Sequence, residues 1–313
     1  MKTITLSYPT SLEMDDIPNA LTLAIGDFDG IHLGHQQVIR RAILTARQMG
    51  IVSAVMTFDP HPRTVLGRSE YEHLLTPLSD KLEQFERLGA DYAFVVQFNP
   101  AFATLSPEQF VNGLLIPMNT KAVMVGFDFR FGHQGVGDAD SLCELGKGRF
   151  AVEVVRPYHI DGIKVSSTAI RDMLAAGEVD KAREWLGRPY MLRGTVVSGD
   201  QRGRTIGFPT ANIQLDEPFL CPQNGVYAVR VLVSGVWVDG VMNIGTKPTF
   251  SNETKQTLEA HLFDFDQNIY GNQLTIQFIS YIRKERKFDS IQQLIEQISR
   301  DSEYARKQLA IFI

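Results

Sequence analysis

The stretch "GDFDGIHLGH", Gly26 to His35, gathers glycines at 26, 30 and 34, aspartates at 27 and 29, and histidines at 32 and 35. Three kinds of chemistry suit such a set. His32 and His35 are three apart, so at a helix start they share a face and offer two metal ligands. Zinc would ask for a third ligand and an orienting partner, and no HExxH or CxxC pattern supplies them. A glycine-rich turn that opens a helix instead presents backbone N–H groups and the positive helix end to a phosphate. Glycine lets the backbone come close, and imidazoles donate hydrogen bonds to oxygens that gain charge during phosphoryl or nucleotidyl transfer. The third possibility is a plain capped turn. It leaves both histidines without a task, so phosphate ranks first.

A second set lies far downstream. "GTVVSGDQRGRTIGFPTAN" carries glycines at 194, 199, 203 and 207 and ends in Thr210 and Asn212. No GxxxxGK[ST] string occurs, so this is not a P-loop. Glycines between strands can still form a backbone cradle for phosphate. On an extended segment Thr210 and Asn212 face the same way, and their neutral oxygens suit a Mg²⁺ that keeps waters and phosphate oxygens as its other ligands. An ordinary turn explains the same residues. In "TLEAHLFDFD", Leu258, Ala260 and Leu262 share one strand face, with Glu259 and His261 on the other. Beside a nucleotide, Glu259 could act as general base on an alcohol; a solvated strand face is the plainer account.

Two different scaffolds must position these sets. In the first half, strand-like runs (Leu21 to Ile25, "IVSAVMTF", "DYAFVVQF", "KAVMVG", "FAVEVV") alternate with helical ones. Helices are expected over Gly34 to Met49, from Ser79 as N-cap to Gly89, and from Ser106-Pro107 to about Leu115. That alternation predicts a parallel, doubly wound sheet, with ligands bound at the C-terminal ends of its strands. After about Leu186, runs such as "GVYAVRVLV", "GVWVDGVMNIG" and "NQLTIQFISYI" follow one another with only turns between. They predict an antiparallel sheet or small barrel. Ile291, Leu294, Ile295 and Ile298 then fall at helical spacing behind Asp289 or Ser290 as cap.

The whole chain has 313 residues, room for two domains. Its net charge of −5 argues against general nucleic-acid binding. Two cysteines, Cys143 and Cys221, build no disulfide framework, which points to a reducing cytoplasm. The N-terminus lacks the apolar core of a signal peptide, and no apolar run of about 18 residues is present.

The string His32-Leu33-Gly34-His35 resembles the signature of the HxGH nucleotidyltransferases, and "GDFDGIHLGHQ" resembles bacterial flavin adenylyltransferases in particular. "TFDPHP", "GFDFRFG" and "SSTAIR" agree in order along the chain. This resemblance implies transfer of AMP from ATP to FMN, with His32 and His35 catalytic and Gly26, Asp27, Gly34, Ser166, Ser167, Thr168 and Arg171 at the phosphates. It also makes Asp128 a candidate for metal or flavin contact. The chain departs from the family at Asp27, where asparagine is usual, and at Ala169, where arginine is frequent. A carboxylate at 27 asks for a metal or a rotamer turned away from the triphosphate.

"GFPTAN", "GVYAV", "NIGTKPTF", "LEAHLFDF" and "RKERKFDS" are similar to riboflavin kinases. That resemblance implies a six-stranded barrel, Mg²⁺ on Thr210 and Asn212, and Glu259 as base for the riboflavin 5′-hydroxyl. It also places Gly199, Gly203 and Gly207 at ATP, and Asn243, Arg286 and Phe288 at the flavin. Residues 243–248 would shape that site and the loop 283–288 would close over it.

Together the resemblances imply an α/β plus β chain. A doubly wound, Rossmann-like nucleotidyltransferase domain would span residues 1–186. A six-stranded antiparallel barrel with a terminal helix would span 187–313. The expected function is ATP-dependent conversion of riboflavin to FMN and of FMN to FAD, in a cytoplasmic monomer or weak homo-oligomer without nucleic-acid or membrane partners. A chain with one live activity, or a non-catalytic flavin sensor, is the alternative.

Overall fold

The computed structural model describes residues 1–8, 17–199, 203, 206–248 and 254–312. The chain divides into two compact units, Met1–Ser167 and Thr168–Ile313.

The first unit is built on six parallel strands, β1 (Lys2–Leu6), β2 (Leu21–Ile25), β3 (Val52–Asp59), β4 (Tyr92–Gln97), β5 (Thr120–Gly126) and β6 (Ala151–Val155), in the order β1-β4-β3-β2-β5-β6. β1 is not among the expected strands. It is an edge strand, largely exposed except at Leu6, so its apolar signal is short. By contrast β2 is buried along its whole length. From β2 the chain winds through β3 and β4 on one side and through β5 and β6 on the other. The strand order therefore reverses between β2 and β5, and a crevice opens there at the C-terminal strand ends.

Helix α1 (Leu33–Met49) follows β2 and buries Val38, Ile39, Ala42, Ile43 and Ala46, a stripe at helical spacing. Thr22 in β2 donates its hydroxyl to the Ala42 carbonyl at 2.8 Å, which fixes α1 against the strand. Gly50 ends α1 at φ 67°, a left-handed cap that favours glycine. Short α2 (Pro62–Val65) follows β3, and α3 (Leu78–Leu88) precedes β4. Ser79 does not cap α3: the Pro77 carbonyl already accepts the Lys81 N–H, so the helix starts at Leu78 and Ser79 lies inside it. Gly89 does stop it, at φ 92°. Asn99 caps α4 (Pro100–Ala103), Ser106 caps α5 (Pro107–Phe110) with a full capping box in which Gln109 reaches back to its N–H, and α6 (Ala139–Gly146) lies between β5 and β6.

In the second unit β9 (Tyr190–Val197), β10 (Ala211–Leu215), β11 (Gly225–Val233), β12 (Val236–Pro248), β13 (Thr254–Leu262) and β14 (Gln273–Arg283) close into an antiparallel barrel, in the order β10-β13-β12-β11-β14-β9. Two strands, β7 (His159–Ile160) and β8 (Ile163–Lys164), form a separate hairpin in the first unit. The interior of the barrel holds Tyr227, Met242, Ile244, Leu274, Ile276 and Phe278, each fully buried. Ser234 and Gly235, at φ 49° and 87°, make the tight β11–β12 turn.

The C-terminal helix spans Ile291–Ile311, with the Ser290 hydroxyl accepting the Gln293 N–H. The helix and its Ser290 cap are as the spacing predicts; its buried residues are Asp301, Ala305 and Leu309, while Leu294, Ile295 and Ile298 are half-buried and Ile291 is exposed. Ala305 and Leu309 pack on Val226, Ala228, Val241 and Ile279. These strand residues lie on the outer wall of the barrel, so the helix covers that wall.

Candidate active sites

In the first unit, Gly26 to His32 occupies the C-terminal end of β2 at the strand-order reversal. The turn is tight: Phe28, Gly30 and Ile31 have φ of 50°, 89° and 41°. Phe28 and Ile31 endure that backbone because both side chains are buried in the apolar cluster beneath α1. The Gly26 N–H is committed to the Met56 carbonyl at 3.2 Å, so it holds the sheet together.

His32 is the N-cap of α1, and its Nδ1 accepts the His35 N–H at 3.2 Å. A ring nitrogen that accepts carries no proton, so the neutral ring bears its proton on Nε2. Burial lowers the His32 pKa to about 4, with Lys164 adding to the drop and Asp128 and Asp29 opposing it. His32 is therefore a neutral N–H donor at neutral pH. The His35 ring stacks on it, centroids 3.6 Å apart and planes 16° from parallel. A Cβ on Gly34 would stand 3.1 Å from the His32 ring, which explains the glycine between the two histidines.

The loop rests on side chains that sequence reasoning missed. The Asp27 carbonyl accepts both Thr57 Oγ1 at 3.1 Å and Lys81 Nζ at 2.8 Å. Lys81 is fully buried, and that desolvation lowers its pKa against the opposing pull of Asp29, Asp27 and Asp59. Asp29, also buried, accepts the Thr76 N–H at 3.1 Å, and its carbonyl accepts the Ser167 hydroxyl at 2.8 Å. The carboxylate of Asp27 faces His61, Oδ2 lying 3.8 Å from Nε2. His61 Nδ1 accepts the Arg63 N–H, which leaves Nε2–H to point at Asp27. The opposite wall carries Asp128, just past β5. It pairs with Lys164 at 2.8 Å, and Lys164 also lies over the Phe127 ring.

"SSTAIR" straddles the division between the units: Ser166 and Ser167 end the first, and Thr168 and Arg171 belong to α7 (Ser167–Ala175), whose buried face is Ile170 and Leu174. A second helix, α8 (Val179–Leu186), packs on β9 and β14 and ends at Gly187, φ 69°.

In the second unit the ladder brings the distant residues together. Asn212 of β10 stands opposite Glu259 of β13, and Glu259 opposite Asn243 of β12. Directly paired residues share a sheet face, so Asn212, Glu259 and Asn243 form one row. The row continues through Val226 to Arg283. Val226 packs under the C-terminal helix, so the row lies on the outer wall, while Leu258, Ala260 and Leu262 point inward and are buried.

The glycine-rich segment leans on this row. A Cβ on Gly199 would lie 2.1 Å from Asn212 Nδ2, and one on Gly203 would lie 3.3 Å from Thr210 Oγ1. The Gly203 carbonyl accepts the N–H groups of Ile206 and Phe208, and His261 Nδ1 meets the Pro209 carbonyl at 2.8 Å. Gly207 sits at φ 85° with open space beside it. Asp200, Gln201, Arg202, Arg204 and Thr205, and Thr249 and Phe250 of "NIGTKPTF", lie outside the described residues. Two neutral oxygens set against glycines fit a hydrated divalent cation that takes its charge balance from phosphate.

Beyond β14 the chain folds back over β12. A Cβ on Gly245 would meet the Glu285 carboxylate at 2.5 Å and the Asn243 amide at 3.3 Å, so these two side chains flank the glycine. The Arg286 guanidinium lies 4.8 Å from the Phe288 centroid and donates to Gln297 of the C-terminal helix. Arg286, Lys287, Phe288, Gln293, Glu296, Gln297 and Arg300 line a groove of about 320 Å³.

Known proteins resemble the chain along nearly its whole length. Residues 15–169 match the FAD synthetase family model and residues 186–309 match the riboflavin kinase model. The chain is 44% identical to the bifunctional riboflavin kinase/FMN adenylyltransferase of Bacillus subtilis, over 97% of each chain. It is 38% identical to the Escherichia coli protein of that description, over 91% of each. Among solved structures it is similar to one from Streptococcus pneumoniae described as a macrolide-efflux protein, with TM-score 0.89 and 32% identity over 98% of this chain and 99% of that one. No helix among the described residues is long and apolar enough to cross a membrane.

Proposed function

The chain belongs to the bifunctional riboflavin kinase/FMN adenylyltransferase family, and on that premise we propose how its residues divide the chemistry. Its two activities are phosphorylation of riboflavin to FMN and adenylylation of FMN to FAD, each using ATP. The functional boundary is drawn between residues 186 and 187.

In the kinase half, Glu259 takes the proton of the riboflavin 5′-hydroxyl as that oxygen attacks the γ-phosphorus, and ADP leaves. The observation that carries this role is the row Asn212–Glu259–Asn243, which sets the carboxylate between two amides on one barrel wall. Gly199, Gly203 and Gly207 line the ATP phosphates. Thr210 and Asn212 would hold Mg²⁺, which when bound neutralises phosphate charge. Asn243, Arg286 and Phe288 flank the flavin. Catalysis is then chiefly positioning and charge neutralisation.

In the adenylyl half, an FMN phosphate oxygen attacks the α-phosphorus of ATP, and pyrophosphate leaves. The nucleophile is already an anion, so no protein base is required. His32 donates Nε2–H to the phosphates, and His35 supports it from the stacked ring. Gly26 and Asp27 shape the turn, Gly34 leaves room for His32, and Ser166, Ser167, Thr168 and Arg171 hold the triphosphate. Asp128, held by its ion pair with Lys164, contacts the flavin or a metal. The chain works in the cytoplasm as a monomer or weak homo-oligomer.

Chromatography of products from ATP, Mg²⁺ and either riboflavin or FMN tests the assignment. Glu259→Gln should stop FMN formation and leave FMN-to-FAD conversion intact; His35→Ala should do the reverse. Survival of both steps in either variant refutes the role given to that residue. A wild-type chain that makes only one product, or none, would instead favour a single live activity or a flavin sensor.

A further inference from the structure

The C-terminal helix buries a carboxylate where its stripe is otherwise apolar. Asp301 is 4% exposed, in line with Ala305 and Leu309. Its partner is Arg283, the last residue of β14. Arg283 Nε lies 3.0 and 2.9 Å from the two Asp301 oxygens, and a terminal nitrogen donates to Oδ2 at 2.7 Å. The remaining terminal nitrogen donates to the Lys284 carbonyl at 3.0 Å. The guanidinium is thus spent on the helix and on the first peptide of the loop, which leaves it no fork to offer a phosphate.

What this pair holds is the loop assigned to the flavin. Arg283 ends the cross-strand row that contains Glu259 and Asn243, and its Lys284 contact sets the direction in which the chain leaves β14. Two residues later Glu285 and Arg286 diverge, one toward Gly245 and Asn243 and the other toward Gln297. Gln297 in turn donates to Asp301 Oδ1 at 2.7 Å. Phe288 lies over both cations, 5.8 Å from Arg283 and 4.8 Å from Arg286. One buried carboxylate therefore governs Arg283 directly and Arg286 through Gln297, and these two guanidinium groups frame the Phe288 ring.

We propose that Asp301 is a positioning residue for riboflavin phosphorylation: through Arg283 and Gln297 it holds the loop 284–289 in the shape that receives the flavin ring. The proposal rests on the assignment of Arg286 and Phe288 to the flavin site. It gives the C-terminal helix a task beyond covering the barrel wall, and it predicts an effect on flavin capture rather than on phosphoryl transfer.

The test is steady-state kinetics of the full-length chain, with FMN adenylylation by the other half as internal standard. Asp301→Asn should raise the riboflavin KM about tenfold or more, because a hydrogen bond between charged groups is lost from a buried site. Its kcat should change less than about threefold, and adenylylation should stay unchanged. Arg283→Lys, which keeps the charge and loses the fork, should raise KM likewise, and the double variant should be no worse than either single one. Gln297→Met, with its smaller expected rise in KM, reads the same link if Asp301→Asn fails to fold. A fall in kcat with riboflavin KM unchanged would mean that Asp301 only stabilises the barrel, and would overturn the proposal. So would an unchanged KM in Asp301→Asn while Arg286→Ala and Phe288→Ala raise it; the flavin assignment would then stand alone. If Arg286→Ala and Phe288→Ala leave KM unchanged, the flavin assignment and the proposal fall together.

Discussion

His32 caps α1 through an unprotonated Nδ1, and protonating that nitrogen would turn the acceptor of the His35 N–H into a second donor. Burial holds its pKa near 4 against an ordinary 6.5. Because the folded value is the lower one, the contribution to stability is complete above pH 6.5 and is lost as pH falls from 6.5 through 4. At about 1.4 kcal/mol per pH unit, the full loss is about 3 kcal/mol, and about 2–3 kcal/mol of it is expressed between pH 7.5 and 4.5. His32→Asn keeps a cap oxygen and removes the titration. Both tryptophans, Trp185 and Trp237, lie in the second unit, so fluorescence would miss the effect. The suitable probe is amide exchange at buried α1 residues such as Ile39 and Ala42, corrected for intrinsic rates. The wild type should lose that much more protection than the variant on acidification. Imidazole ¹⁵N spectra of the full chain should show Nδ1 bare and Nε2 protonated down to about pH 5. A His32 that titrates near 6.5, or carries its proton on Nδ1, refutes the neutral-donor account and with it the role assigned in adenylyl transfer.

Two further perturbations separate the halves. Lys81→Met removes the charged hydrogen bond under the Asp27 carbonyl, of the class that contributes about 1.5–3 kcal/mol. The efficiency of FMN adenylylation should fall roughly 10–100-fold while riboflavin phosphorylation is unchanged; equal loss of both would show general unfolding instead. Gly199→Ala puts a methyl group where the Asn212 amide lies. The Mg²⁺ concentration for half-maximal riboflavin phosphorylation should rise, with adenylylation unaffected, and an unaltered Mg²⁺ dependence would remove Asn212 from the metal set.

The amino-acid sequence by itself determined the two scaffolds, because periodicity is a local property. Alternation in "TLEAHL" put Glu259 opposite in face to Leu258 and Ala260, and the glycine–histidine string announced a turn opening a helix. Runs of uniformly apolar residues marked the buried parallel strands, whereas the half-exposed edge strand β1 carried too little signal to stand out. Pattern also names a face without naming its neighbours. Helical spacing from Ile291 to Ile298 announced the last helix, but the turns that the barrel wall buries fully are those around Asp301, Ala305 and Leu309. Only the tertiary structure decided which residues meet. Lys81 reads as one more helix cation, yet the crossing of α3 beneath the β2 loop buries it against the Asp27 carbonyl. His61 looks like part of a proline-shaped loop, yet parallel packing of β2 and β3 turns it toward Asp27. Asn212, Asn243 and Glu259 lie on three different strands, and one register across those antiparallel strands makes them a row. Register and strand order are set by the whole core at once, so no short window of sequence contains them.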